Sequence, residues 1–346
     1  VALSRAHTKG AMVAHTGAAV VAAYYFCKEN NLEESAQEPF KKIVDATIAE
    51  NGQFWGANSK DAEAQDALFA SHTEEESNPE LLQEIVSALD QKIFLLRSAG
   101  HCTIFTSLAL KGLRQMPHLI TPSIVGGVCK LIEKFGDSPG RGYYGKEKGW
   151  LSGIPVEPEK HLAPYQNMEH VIQTAFQELI GHNQIKQTGY GGHVHLITHT
   201  NALLELEEMG YGELSQKGYL AHQTHIMLLR SLPPDDKNGD PALFQPAAFS
   251  SLTYDYWNTY DPKTVASSGL QRGGQDHALK ISYAFFHIMK QIKDPDIRDT
   301  YMQQLGYVTW TSKYVLYHSQ MPLRPNKVPG QYIFEQQLFI ILPACL

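Results

Sequence analysis

The spacing of apolar residues constrains this chain more than any other feature. Through most of its length they recur three and four residues apart, and strict alternation rich in Val, Ile and Thr is hard to find. Such a pattern predicts an all-α fold. The clearest helical stretches are 11–29, 36–50, 79–98, 101–115, 122–135, 167–181, 194–209, 212–231, 275–292 and 296–318. Proline in a first turn marks three starts, at Asn78-Pro79, Thr121-Pro122 and Asp294-Pro295-Asp296. Two stretches, 136–165 and 232–274, break the pattern with glycine and proline, and both carry aromatics: Tyr143, Tyr144 and Trp150, then Tyr254, Tyr256, Trp257 and Tyr260. Long loops in compact domains are usually functional or mobile. These two are either surface loops folded back on their own rings or walls over an apolar ligand. With 346 residues, 43% of them hydrophobic, the chain can bury one large core, and a single domain over 1–346 is expected.

Charge and composition exclude some partners. The formal charge of -7 comes from 36 acidic and 29 basic residues, spread without a lysine or arginine block, so nucleic acid is not an expected partner. No stretch reaches the roughly 20 apolar residues of a membrane-spanning helix. The first residue is Val1 rather than methionine, which leaves a removed targeting segment open. Cys27, Cys102, Cys129 and Cys345 are scattered without a Cys-x-x-Cys pair, which favours a reducing compartment such as the cytoplasm. Oligomeric state is not legible.

Four segments can be laid over one another, each headed by a histidine: His15-Thr-Gly-Ala-Ala-Val-Val-Ala22, His101-Cys-Thr-Ile-Phe-Thr-Ser-Leu-Ala109, His195-Leu-Ile-Thr-His-Thr-Asn-Ala202 and His277-Ala-Leu-Lys-Ile-Ser-Tyr-Ala284. An alanine follows seven residues later in three of them and eight later in the second, and the histidines stand 86, 94 and 82 residues apart. Each segment leads into a turn and a further amphipathic helix, so the unit resembles a repeated helical hairpin. Hairpins stacked in a curved or closed array would put the histidine-headed helices inside and the histidines at one depth.

Those histidines are the candidate metal ligands. His195 and His199, four apart, share a helix face and can reach one ion. His15 is followed by small residues, Gly17, Ala18, Ala19 and Ala22, and His101 opens a helix whose next turn, Ile104, Phe105 and Leu108, is apolar. His277 shares a face with Lys280, a lysine among Ala278, Leu279 and Ile281 that is costly to bury alone. Lys280 either reaches solvent, pairs with Asp276, or serves as a ligand after carboxylation. His222 and His225, three apart on the next helix, are a reserve pair. Imidazole-rich sites without thiolates suit Fe, Zn, Cu or Ni, with iron preferred here. Dinucleotide, phosphate-loop, nucleophile-elbow and His-Glu-x-x-His signatures are absent. Gln271-Arg272-Gly273-Gly274 before Gln275-Asp276-His277 is the nearest approach to an anion nest.

In these segments, namely His15 leading into Ala22-Ala23-Tyr24-Tyr25, Gly100-His101-Cys102-Thr103, His195-Leu-Ile-Thr-His199 leading into Ala202-Leu203, and Asp276-His277-Ala278-Leu279-Lys280, the chain resembles the questin oxidase-like family. The resemblance covers about a fifth of the chain. It implies a helical non-haem iron oxygenase that cleaves anthraquinones and related aromatic polyketides, with Lys280 as a carboxylated ligand. The expectation is a single iron held by His15, His101, His195 or His199, and His277, with Lys280 and His199 as catalytic groups. Dioxygen and an apolar aromatic molecule are the expected substrates. A metal-free helical scaffold or ligand carrier and a metal-dependent hydrolase are the alternatives.

Overall fold

A computed structural model of the chain describes residues 1–50, 52, 68–140, 144, 162–181, 190–231, 250–258, 275–305 and 308. Among the described residues there is no strand. The helices are α1 (Ala2–Arg5), α2 (Ala14–Glu29), α3 (Glu34–Glu50), α4 (Leu82–Asp90), α5 (His101–Gln115), α6 (Pro122–Lys134), α7 (Met168–Gly181), α8 (Tyr190–Glu208), α9 (Gly212–Arg230), α10 (Tyr254–Asn258), α11 (Gln275–Met289) and α12 (Pro295–Met302). The expected all-α class is therefore the observed one.

Sequence pattern decides which helices lie inside. All fifteen residues of α11 are buried. In α2 buried residues lie on every face, Ala14 to Val20 without a break and then Ala22, Ala23, Tyr25, Phe26 and Cys27. A helix apolar all round belongs in a core. By contrast α3 buries only Ala36, Phe40, Ile43, Val44 and Thr47, one stripe at helical spacing, and fits an outer position. The inner helices are α2, α5, α8 and α11, and each packs on two others in the cycle α2, α5, α8, α11 and back to α2. The alanines of the four aligned segments, Ala22, Ala109, Ala202 and Ala284, are all buried and let these helices approach. Each inner helix also touches the helix that follows it, although that pairing is extensive only for α8 with α9.

The proline starts fall where expected. Asp294 caps α12 by accepting from the Asp296 and Ile297 backbone N–H groups, and Asn78 accepts from the Glu80 N–H. The stretch 79–98 departs from expectation. Helix α4 ends at Asp90, and the chain then turns so that Ile93, Leu96 and Arg97 can be buried ahead of α5. Within the helix expected at 296–318, α12 closes at Met302, Leu305 and Val308 are again helical, and 306, 307 and 309–318 lie outside the described residues. Most of 136–165 and 232–274 also lies outside, including Tyr143, Trp150 and Tyr260. Of the loop aromatics that are described, Tyr256 and Trp257 are core residues of α10, and the Trp257 ring stands 4.8 Å from Phe40 and 6.1 Å from Phe26. Those two rings serve the α2–α3 packing.

Towards the C-terminal ends of the inner helices lies a charged layer. Lys111 of α5 pairs with Glu205 of α8 at 3.4 Å and with Glu29 of α2 at 3.1 Å, and its Nζ lies 4.4 Å from the Tyr25 ring centre. Tyr283 of α11 donates to Glu205 at 2.5 Å, and Tyr25 donates to the Lys111 carbonyl at 2.9 Å. His287 stacks on Tyr283 and reaches Asn201 at 2.7 Å and Glu208 at 3.0 Å. Sequence reasoning gave Lys111, Glu205 and His287 no role, yet Tyr25, Lys111, Glu205 and His287 each stand ten residues after the histidine of their aligned segment.

Candidate metal centre

Three of the four histidines that head the aligned segments lie in the first three positions of their helices: His15 second in α2, His101 first in α5 and His277 third in α11. His195 is sixth in α8. Because the four helices form a cycle, the rings form one too. Centroids are 4.6 Å apart for His15–His101, 4.2 Å for His101–His195, 5.3 Å for His195–His277 and 5.0 Å for His277–His15. One ring nitrogen from each of the four lies within 4.8 Å of the others, and all four residues are buried.

Local structure orients three of the rings. His15 Nδ1 donates to the Met12 carbonyl at 2.8 Å, and His101 Nδ1 donates to the Ser98 carbonyl, each three residues upstream. Asp276 Oδ1 accepts from both the backbone N–H of His277, at 2.8 Å, and its Nδ1, at 3.1 Å. A carbonyl oxygen can only accept, so His15 and His101 carry their proton on Nδ1 and a lone pair on Nε2. Fixing the outer nitrogen in this way is how proteins aim imidazoles at metals.

The turn that presents His101 is strained. Ser98 (φ 48°), Ala99 (φ 53°) and Gly100 (φ 88°) are three successive left-handed residues, and only the last is a glycine. Ser98 N–H donates to the Ser138 carbonyl at 2.8 Å and Ala99 N–H to the Pro139 carbonyl at 2.7 Å, which holds the turn. Buried Arg97 ties it to the end of α6 by donating to the Ile132 carbonyl at 2.9 Å. A Cβ on Gly100 would lie 2.7 Å from His199 Cγ, so the turn also needs glycine for room.

Electrostatics keeps His15 and His101 neutral. Burial pushes His15 and His101 well below the ordinary histidine range, and the neighbouring imidazoles and the Lys280 ammonium push the same way. Yet His15 Nε2 and His101 Nε2 face each other at 2.9 Å. With both outer nitrogens protonated, two lone pairs meet at hydrogen-bond distance without a proton between them. A cation shared by the rings resolves that conflict, so the residues fit a metal ion. The chain matches no family model, no curated protein and no solved structure.

A narrow void beside the cluster, too small to hold water, is lined by His101, His195, His277, Thr198 and Lys280 on its polar side and by Ile104, Phe105, Val194 and Ile281 on its apolar side. Lys280 is buried, with Nζ 3.6 Å from Asp276 Oδ2 and 5.6 Å from the Phe105 ring centre. Burial lowers its ammonium to about 8, against the opposing pull of Asp276. For Asp276 burial acts upwards, but Lys280 and His277 outweigh it and bring the carboxyl to about 2.

The structure thus brings together His15, His101, His195 and His277, with Lys280 beside them. It does not bring His199. That ring lies against Gly100 and next to His222 and His225, because four helical residues turn about 40° past a full circle and rise roughly 6 Å. His195 and His199 share a helix face but serve different neighbours. The Met12 and Ser98 carbonyls went unnoticed in the sequence because backbone acceptors leave no residue signature.

Proposed function

We propose that the four-histidine cluster holds one iron ion and that the chain is a non-haem iron oxygenase or oxidase acting on a small apolar molecule, aromatic in the manner of a polyketide or quinone. The observation that carries this reading is the pair of imidazole lone pairs opposed at 2.9 Å within a buried ring of four histidines. The resemblance of the histidine segments to the questin oxidase-like family points the same way. Zinc, copper and nickel accept the same donors. Iron, when bound, supplies one-electron redox chemistry and the activation of dioxygen.

The chain's own residues supply the rest. The carbonyls of Met12 and Ser98 and the carboxylate of Asp276 hold His15, His101 and His277 in the tautomer that offers Nε2 inward. Ile104, Phe105, Val194 and Ile281 form an apolar wall beside the cluster that keeps water away from it. Four imidazoles bring no negative charge, and Lys280 is placed to add it: its free amine, captured by carbon dioxide with loss of a proton, becomes an anionic carbamate. A metal-free scaffold gives no role to the convergence of four ring nitrogens within 4.8 Å.

Oxygen dependence separates the oxygenase from a hydrolase. Protein reconstituted anaerobically with ferrous iron is expected to consume dioxygen in step with loss of an anthraquinone-type substrate. Turnover that proceeds equally well without oxygen would contradict the reading.

A further inference from the structure

A second group of histidines lies one turn further along α8. The His199 ring centroid is 5.5 Å from that of His222 and 5.8 Å from that of His225, both on α9. All three residues have zero exposure. The partners of two of them fix their tautomers. Thr200 Oγ1 donates its one proton to the Leu196 carbonyl, so at 2.9 Å it accepts from His222 Nε2, while Tyr165 donates to His222 Nδ1 at 2.9 Å. His222 is therefore saturated.

The other two are not. His225 Nε2 donates to the Gly192 carbonyl at 2.8 Å, which leaves a lone pair on Nδ1 that has no hydrogen-bond partner, and neither ring nitrogen of His199 has one. A stranded buried polar atom loses its hydration without a protein partner to replace it. Moreover, the left-handed Gly100 leaves the space that the His199 ring fills. A cost retained in a prepared space points to a ligand.

We propose that His199 and His225 form a second metal site, separate from the four-histidine cluster, which takes a monovalent transition-metal ion, namely Cu⁺. Ring nitrogens bound at about 2 Å on opposite sides of one ion put two imidazole centroids roughly 6 Å apart, close to the 5.8 Å observed. Among the described residues no carboxylate pairs with His199, His222 or His225, so a buried dication would go uncompensated. Two neutral imidazoles suit a monovalent ion of an element that accepts nitrogen donors. This site does not depend on the oxygenase reading.

The test uses the full chain, loaded with Zn²⁺ to one ion per molecule and then titrated anaerobically with Cu⁺ against a chromophoric Cu⁺ chelator. One Cu⁺ per chain is expected to bind with the zinc retained, and X-ray absorption at the copper edge is expected to show two nitrogen ligands. His199→Leu and His225→Gln should each lose that copper while keeping the zinc. Failure of the zinc-loaded wild type to take up Cu⁺, one-for-one displacement of zinc by copper, or binding of two zinc ions per chain would overturn the proposal. So would His199→Leu binding Cu⁺ like the wild type. Should neither variant fold, the wild-type titration and edge spectrum decide alone.

Discussion

The four inner helices carry one polar layer near their N-terminal ends and another ten residues on, about 15 Å away along each axis. The upper, N-terminal layer is buried and the lower reaches the surface at Glu29 and Glu208; both draw on α2, α5, α8 and α11, but they balance their polarity in opposite ways. In the lower layer Lys111 meets Glu205 and Glu29, Tyr283 meets Glu205, and His287 meets Glu208, so opposite charges answer one another within the protein. In the upper layer His15, His101, His195 and His277 are like groups facing one another, with the Nε2 atoms of His15 and His101 opposed at 2.9 Å. A self-satisfied layer reads as structure. A layer of like donors reads as a site awaiting an ion.

Acid provides the largest contrast. His15, His101, His199, His222 and His225 all have folded-state values pushed down by burial, so below about 6.5 the unfolded chain takes up protons that the folded chain refuses. The stability they lend is intact above that pH and is lost as pH falls towards the folded-state values. Each group contributes about 1.4 kcal/mol per pH unit in that window. Metal-free protein is expected to show a steep fall in urea midpoint below pH 6.5. A flat profile would mean that the upper layer is not held neutral.

Substitutions in the lower layer should act on stability and leave metal alone. Glu205→Ala leaves Lys111 paired with Glu29 and takes away the buried acceptor of Tyr283, and should cost about 1–3 kcal/mol in urea unfolding. Tyr25→Phe removes only the hydrogen bond to the Lys111 carbonyl and should cost about 1 kcal/mol. Both folded variants should bind metal with wild-type stoichiometry. Metal loss in either would show that the two layers are one functional unit.

How much of this was legible beforehand follows from the physics of each signal. Helical periodicity exposed the fold class, and a histidine at the head of four similar segments exposed the cluster, because both are patterns of residue type along the chain. The assignment of His199 to the cluster came from spacing, which specifies a helix face but not the helix packed against it. The pair His222 and His225 stood out in the sequence without a partner, and their association with His199 depends on how α8 meets α9. The lower layer escaped because Lys111 and Glu205 read as solvent-facing charges until packing shows a half-buried Lys111 beside a buried Glu205. The strained turn at Ser98–Gly100 was hidden inside an apparent continuation of α4, since Ile93 and Leu96 keep helical spacing after the helix has ended.

The central claim is that His15, His101, His195 and His277 hold one ion together. Metal quantification on the purified chain, beside His15→Ala and His277→Ala variants matched for helical content, tests it most directly. The account predicts one transition-metal ion per chain in that site of the wild type and its loss in both variants. Substoichiometric metal in wild-type protein after reconstitution, or equal metal in the variants, would contradict it.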